Sequence, residues 1–332
     1  MIFTGGTIGS SSDNKTVDLD GGSSALLINK YKTVCGGAVT FEEHYPVSIL
    51  SENIQTADIE KMADSVRNID VSSCDGIIVT HGTDTLCFTA NYFAQIFADI
   101  SVPLVLVSAL YPLDDERSNG LDNFAAAVTF IEKEAIKGVF VSFRNPGEHC
   151  KIHLASRLTE ADQLSGKFHS IGDVHFGEVS DGKFVYNDQS GNPAVDELKN
   201  NAPAPFVGGW PCNDIVVIRA RALLDFSFYR FGELKPKAVI IQLYHSGTVC
   251  TSGWDTNFLT FLDYCRSCNI ETILAPVDSD ANVYAGMLGM EEKCIFAYDM
   301  SFEMTIVKVM LALGSGRPIR ALLDENRFFE KV

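Results

Sequence analysis

Long hydrophobic runs are missing from this sequence. No apolar run in the chain reaches the roughly 20 residues that a helix needs to cross a bilayer. No basic and apolar leader precedes the first candidate strand, so a secretory signal peptide is not expected either. These two absences predict a protein without a membrane partner and without an export signal.

Basic side chains are scarce. The chain carries 26 Lys and Arg against 43 Asp and Glu, which gives a formal net charge of −17. A surface this acidic repels the phosphate backbone, so we expect no nucleic-acid partner. The same charge favours solubility and says little about the substrate.

The sequence also lacks the cysteine pattern of a disulfide framework. Its nine cysteines are odd in number and scattered through apolar segments, as expected for reduced thiols in a cytoplasmic protein. Cys265 and Cys268 have the spacing of half a zinc site, but a second pair is missing. We therefore expect no metal.

The segments that are present alternate between strand and helix patterns. Buried, β-branched runs are followed by loops and then by residues with helical periodicity, which indicates a parallel sheet with helices on both faces. Candidate strands lie at 77–80, 102–107, 138–143, 238–244, 272–276 and 294–298, and candidate helices at 56–68, 86–97, 123–135, 258–268 and 301–313.

The length of 332 residues suits two domains rather than one. A polar stretch rich in Gly, Asn and Pro interrupts the alternation before it resumes. We predict an N-terminal α/β domain at 1–190, a linker at 191–212 and a smaller C-terminal α/β domain at 213–332. The small polar residues at 10–24 are expected to form a mobile loop.

Two threonine-rich turns follow buried strands, TGGTIG at 4–9 and HGTDT at 81–85. Ligands of open parallel sheets bind beyond the carboxyl ends of the strands, where such turns converge. The glycines let backbone amides approach a ligand closely, and a hydroxyl can attack a carbonyl group. The first turn does not match the nucleotide-binding motif Gly-x-x-x-x-Gly-Lys, because no lysine follows its glycines.

Both turns together resemble the signature segments of the bacterial-type L-asparaginases, a family that includes asparaginase-glutaminases. Further likeness is found at SEN (51–53), at Asn123 and at YDMSFE (298–303), so the resemblance covers both domains. The absence of an export signal makes the chain more similar to the cytoplasmic, type I-like branch. Members of the family have a few more residues in the first strand, so we expect the true start to lie upstream.

The resemblance implies a fold and an activity. The fold is a two-domain α/β architecture, with a larger, mostly parallel N-terminal sheet with helices on both faces and a smaller flavodoxin-like C-terminal domain. The activity is hydrolysis of L-asparagine to L-aspartate and ammonia through a threonyl acyl-enzyme, with the D-isomer or glutamine as side substrates. It implies no cofactor and assembly as a homodimer or homotetramer.

The resemblance also assigns roles to single residues. Thr4 is the nucleophile, Thr83 relays protons, and Asp84 pairs with the substrate's α-ammonium group. An aspartate that follows a strand is also a common helix N-cap, and Asp84 fits both roles. Substrate-binding positions fall on Ser51, Glu52, Gly82 and Ala109.

Two supports of the family's catalytic site are missing. The family has a lysine three residues after an arginine, which helps to activate the second threonine. Here Glu160 lies three residues after Arg157, a gap shifted by one offers Thr159 instead, and neither is a lysine. Residues 10–26 contain no tyrosine to cover the nucleophile. Glu160 is therefore a candidate general base in place of the lysine. Two alternatives stay open: a catalytically impaired amino-acid binding protein, and an asparaginase-type subunit of a tRNA-dependent amidotransferase.

Overall fold

The computed structural model describes residues 1–6, 8, 10–13, 16–19, 23–36, 38–134 and 136–332. The chain forms two compact units. The first contains 1–206, 327–330 and 332, and the second contains 207–326 and 331. Thr7 and Gly9 of the first glycine-rich turn lie outside the described residues.

Strands and helices alternate through most of both units. The strands are β1 (Ser10–Asp13), β2 (Thr16–Leu19), β3 (Ile77–Thr80), β4 (Pro103–Val107), β5 (Gly138–Arg144), β6 (Cys150–Leu154), β7 (Gly177–Ser180), β8 (Lys183–Tyr186), β9 (Ile215–Arg219), β10 (Ala238–Gln242), β11 (Glu271–Val277) and β12 (Ile295–Tyr298). The α-helices are α1 (Ser23–Val34), α2 (Thr56–Arg67), α3 (Leu86–Ile96), α4 (Gly120–Glu134), α5 (Val195–Asn200), α6 (Phe258–Ser267), α7 (Phe302–Ser315) and α8 (Ile319–Asp324).

The main sheet of the first unit has the strand order β3-β4-β5-β6-β7-β8. Strands β3, β4 and β5 run parallel, and the later strands pair antiparallel. Every side chain of β3 and β4 is buried, which shows that both faces of this part of the sheet are covered. The expected α/β fold is confirmed. Strands β6, β7 and β8 were not predicted, because they are short and contain polar residues.

The second unit is built on four parallel strands in the order β12-β11-β10-β9. The core beside this sheet contains apolar side chains of β10 and β11 and the buried face of α6, including Phe258 and Phe261. The second unit is thus a smaller α/β unit with a parallel sheet.

The loop predicted at 10–24 contains regular structure. Strands β1 and β2 pair antiparallel, with Ser10 opposite Leu19 and Asp13 opposite Thr16. Their small polar residues have the composition of a loop, and a two-stranded hairpin needs little apolar sequence to form its backbone hydrogen bonds. Composition was therefore misleading for these strands.

The predicted linker at 191–212 also differs from the structure. Helix α5 lies within it, Leu198 is buried, and the first unit extends to residue 206. A helix of 6 residues is too short to show helical periodicity, and the polar residues around it gave the segment the character of a connection.

Residues 327–330 at the end of the chain belong to the first unit rather than to the predicted second domain at 213–332. The Phe328 side chain is buried against Phe140, with 6.0 Å between ring centroids. Ser156 Oγ donates a hydrogen bond to the Phe328 carbonyl at 2.6 Å. A Cβ atom at Gly138 would lie 2.3 Å from the Phe328 ring, so the glycine makes room for it.

Among the residues that the structure describes, no helix is long and apolar enough to cross a membrane. All nine cysteines lie in the described part of the chain and are free thiols.

Replacement of Phe328 by alanine is expected to lower the free energy of unfolding by about 3–5 kcal/mol, because it leaves a cavity between Gly138 and Phe140. Urea unfolding measures the effect. The matched control is Phe228→Ala, at a side chain that is 84% exposed, where we expect a change within about 0.5 kcal/mol. Equal losses in the two variants would contradict this placement of Phe328.

Candidate active site

The first residues of the chain pair with β3 and place Thr4 at its carboxyl end. Ile2 forms parallel bridges to His44 on one side and Val79 on the other. Its backbone N–H donates to the Ile78 carbonyl at 2.8 Å, and the Thr80 N–H donates to the Ile2 carbonyl at 2.9 Å. Parallel pairing brings the residues that follow both segments to the same edge of the sheet.

Thr4 is buried and fixed at both its backbone and its side chain. Its Oγ1 hydroxyl donates to the Thr80 carbonyl at 2.6 Å, and its N–H donates to Thr80 Oγ1 at 3.3 Å. A carbonyl oxygen orients the Thr4 hydroxyl but cannot take its proton at neutral pH. A reaction that uses this oxygen as nucleophile therefore needs a base elsewhere in the site.

The two glycine-containing turns lie against each other. A Cβ atom at Gly6 would lie 2.3 Å from the Gly82 nitrogen and 2.5 Å from the Gly82 Cα. Gly6 also has a φ of +76°, which side chains rarely adopt. Its N–H donates to the Ile49 carbonyl at 3.1 Å, so this amide is committed to the fold. Only glycine permits this approach of the two backbones.

Ser51, from a third segment of the chain, packs against the glycine-containing turn at Gly82. A Cβ atom at Gly82 would lie 2.4 Å from Ser51 Oγ, and Thr85 Oγ1 donates to the Ser51 carbonyl at 3.0 Å. Ser51 is buried and begins a short 3₁₀ turn, and the adjacent Glu52 is exposed. The structure thus brings Thr4, Gly82 and Ser51 into one cluster through Gly6.

Thr83 and Asp84 follow Gly82 directly and precede α3. Thr83 is half-buried and Asp84 is exposed. The N-cap position of α3 is Thr85, without a side-chain capping bond, so the alternative role of Asp84 as the N-cap does not apply. The carboxylate lies next to the glycine turn without a capping function.

Ala109 and Glu160 lie on two neighbouring loops. Ala109 is fully buried and follows β4, which is the parallel neighbour of β3. The segment that leads to Glu160 lies along the first turns of α3, because the Leu158 carbonyl accepts hydrogen bonds from Cys87 Sγ at 3.1 Å and Asn91 Nδ2 at 3.0 Å. Glu160 itself is exposed.

His81 is a buried structural residue. Its Nδ1 lies 2.8 Å from the Gly82 carbonyl and its Nε2 lies 2.9 Å from Thr89 Oγ1. Burial lowers the pKa of His81 to about 4, so the ring is neutral near pH 7. The Gly82 carbonyl can only accept, so Nδ1 carries the proton and holds the glycine turn in place.

Within the described ranges, no group of three or more His, Cys, Asp and Glu side chains is arranged to hold a metal ion. The hydroxyls of Thr80 and Thr85 were missed by sequence reasoning. Their signal was present, since Thr80 directly precedes the HGTDT turn and Thr85 ends it, but their contacts with Thr4 and Ser51 join segments that are distant in sequence.

The sequence and fold are similar to known proteins. Residues 1–191 match the family described as Asparaginase, N-terminal. An L-asparaginase from Thermococcus kodakarensis is 26% identical over 266 residues, which cover 76% of this chain and 74% of that protein. A glutamyl-tRNA(Gln) amidotransferase subunit from Methanococcus maripaludis is 27% identical over 326 residues, covering 95% and 75%. The solved structure of the thermostable L-asparaginase from Thermococcus kodakarensis has a TM-score of 0.81 at 22% identity and covers 100% of this chain and 98% of that one.

Replacement of Gly6 by alanine is expected to destabilise the protein more than replacement of a glycine of the same conformation in open space. The control is Gly147→Ala, where φ is +80° and nothing lies within 4 Å of the added Cβ atom. In the control, the left-handed backbone alone is expected to lower the free energy of unfolding by about 1–2 kcal/mol. In Gly6→Ala, the overlap with Gly82 is expected to lower it by about 1–3 kcal/mol more. Urea unfolding compares the two, and equal losses would contradict the close contact with Gly82.

Proposed function

Because the chain belongs to the asparaginase family, we propose that it is an amidohydrolase that converts L-asparagine to L-aspartate and ammonia. The observation that carries this proposal is the packing of Gly6 on Gly82, which joins the turn of Thr4 to the turn of Thr83. Two hydroxyl-bearing turns at one sheet edge can lie on either side of a small amide.

The proposed chemistry is acyl transfer in two halves. Thr4 Oγ1 attacks the carbon of the side-chain amide and forms an ester bond, while the carbon–nitrogen bond breaks and ammonia leaves with the hydroxyl proton. A water molecule then attacks the ester, releases L-aspartate and returns the proton to Thr4. Both halves need an activating base but neither needs a redox or electrophilic group, so no cofactor or metal is proposed.

The proton of Thr4 needs a route away from the Thr80 carbonyl. We assign its relay to Thr83 and its transient acceptance to Glu160, from which it passes to the leaving ammonia. The segment of Glu160 is held beside α3 by Cys87 and Asn91. A carboxylate can act as a general base where the family has a lysine, and such assistance contributes about 10²–10⁴-fold.

The polar groups around the cluster match the functional groups of an amino acid. Asp84 lies two residues after Gly82, and Glu52 directly follows Ser51. Both are exposed, and their carboxylates are suited to pair with an α-ammonium group. The Ser51 hydroxyl is assigned to the α-carboxylate and the Gly82 backbone to the substrate main chain. The Ala109 backbone is assigned to the leaving amide.

We further propose a cytoplasmic enzyme that assembles as a homodimer or homotetramer. The nine free thiols suit a reducing compartment. Several large apolar side chains of the second unit are solvent-exposed in the single chain and would be covered by self-association, among them Leu223, Phe228, Leu234 and Trp254.

Two other functions have specific support. Binding of an amino acid without hydrolysis is favoured by Glu160 in the lysine position and by the Thr4 hydroxyl donating to a carbonyl. A role as an amidotransferase subunit is favoured by the similarity to the Methanococcus maripaludis protein, and is opposed by the net charge of −17, which repels tRNA.

The nucleophile is tested by Thr4→Val, which keeps the shape of the side chain but removes its hydroxyl. Ammonia release from L-asparagine is expected to fall by at least about 10³-fold, whereas the control Thr4→Ser, which keeps a hydroxyl, retains part of the activity. A Thr4→Val variant as active as the wild type would refute the assignment. Stabilisation of the wild type by L-asparagine without ammonia release would favour the binding protein.

The base is tested by Glu160→Gln and Glu160→Lys. Because the amide cannot accept a proton, Glu160→Gln is expected to lower kcat by about 10²–10⁴-fold. Glu160→Lys restores the residue of the family and is expected to retain more activity than the glutamine variant. Unchanged kcat in Glu160→Gln would end the role of Glu160 as base.

A further inference from the structure

The loop that carries Ala109 is held by two buried asparagines on either side of it. Asn123 Nδ2 donates to the Ser108 carbonyl at 2.8 Å. Asn119 Oδ1 accepts from the Leu110 N–H at 2.8 Å. The residues immediately before and after Ala109 are therefore both fixed by side-chain amides.

The same two asparagines are anchored to one residue of the neighbouring strand. Asn123 Oδ1 accepts from the Arg144 N–H at 2.7 Å, and Asn119 Nδ2 donates to the Arg144 carbonyl at 2.9 Å. Both backbone polar groups of Arg144, the last residue of β5, are thus used. Each asparagine spans the gap between the two chain segments with both ends of its amide.

This arrangement continues the sheet beyond the last regular strand pair. Strands β4 and β5 pair as far as Val107 and Ser142, after which the chain segments separate. A side-chain amide has the same donor and acceptor groups as a peptide, so Asn119 and Asn123 replace the missing backbone partners. The replacement holds the loop in place where the backbones of the two strands no longer pair.

The start of α4 fixes the asparagines themselves. The Asn123 N–H donates to the Asn119 carbonyl at 3.0 Å, so both residues lie one helical turn apart on the same side. Ser142 Oγ donates to the Asn123 carbonyl at 2.8 Å. A Cβ atom at Gly120 would lie 3.0 Å from the Ala109 Cβ, which shows how closely the helix start approaches the loop.

From these contacts we infer that Asn119 and Asn123 are positioning residues that hold the Ala109 backbone in place for the leaving amide. This inference rests on the proposed amidohydrolase function. The two asparagines act through the backbone and do not touch the substrate. Misplacing a catalytic contact by about 1 Å costs on the order of 10²-fold in rate.

The test compares two variants. Asn123→Leu removes both hydrogen bonds of the side-chain amide and keeps a similar side-chain volume, and Asn192→Leu is the matched control. Asn192 is a half-buried asparagine elsewhere in the first unit, and its Nδ2 donates to the His175, Phe176 and Asn187 carbonyls. At a temperature where both variants are folded, Asn123→Leu is expected to lower kcat about 10- to 100-fold with KM changed little. The control is expected to lower only the melting temperature.

The variant Asn123→Asp gives a readout that a purely structural role would not produce. A protonated carboxyl group can donate to the Ser108 carbonyl as the amide does, whereas a carboxylate cannot. The kcat of Asn123→Asp relative to the wild type is therefore expected to rise as the pH falls. This variant also keeps the test open if Asn123→Leu does not fold.

Hydrogen–deuterium exchange separates this inference from the proposed function. The amides of 108–110 are expected to exchange faster in Asn123→Leu, or in Asn123→Asp at high pH, than in the control. Unchanged exchange there would overturn the inference, as would faster exchange with wild-type kcat. A wild-type protein that releases no ammonia rejects the proposed function instead, and exchange then decides whether the asparagines hold the Ala109 backbone.

Discussion

Gly6 and Gly82 lie so close that a single methyl group on either would overlap the other turn or Ser51. This contact joins three segments that are far apart in sequence, and the rest of the candidate site depends on it. Thr4 lies two residues before Gly6. Thr83 and Asp84 follow Gly82, and Ser51 packs on Gly82. The turns that carry these residues lie against each other because no side chain separates their backbones at Gly6 and Gly82.

The sheet supplies the rigid base for this contact. Ile2 pairs beside β3, and β4 and β5 continue the same parallel edge, so successive loops meet at the carboxyl ends of neighbouring strands. Where backbone pairing ends, polar side chains continue it: the Thr4 hydroxyl donates to the Thr80 carbonyl, and Asn119 and Asn123 bind the loop of Ala109. Buried hydrogen bonds of this kind fix a site more closely than loop packing alone.

Much of this arrangement was visible in the sequence, because the strands that carry the site are continuous apolar runs and the turns after them are rich in glycine and threonine. The α/β fold and the convergence of the Thr4 and Gly82 turns followed from that pattern. The hairpin β1–β2, helix α5 and the docking of Phe328 did not. They depend on short or polar segments and on contacts between distant residues, which no local periodicity reports. The position of the segment that leads to Glu160 could likewise not be predicted, because it depends on the hydrogen bonds between the Leu158 carbonyl and α3.

The most direct measurement is a crystal structure of the protein with bound L-aspartate, the product of the proposed reaction. We expect the side-chain carboxylate of the ligand between the hydroxyls of Thr4 and Thr83, its α-carboxylate at Ser51 and its α-ammonium group at Asp84. Aspartate bound elsewhere at saturating concentration, or a gap between the two threonines closed by other side chains, would contradict it.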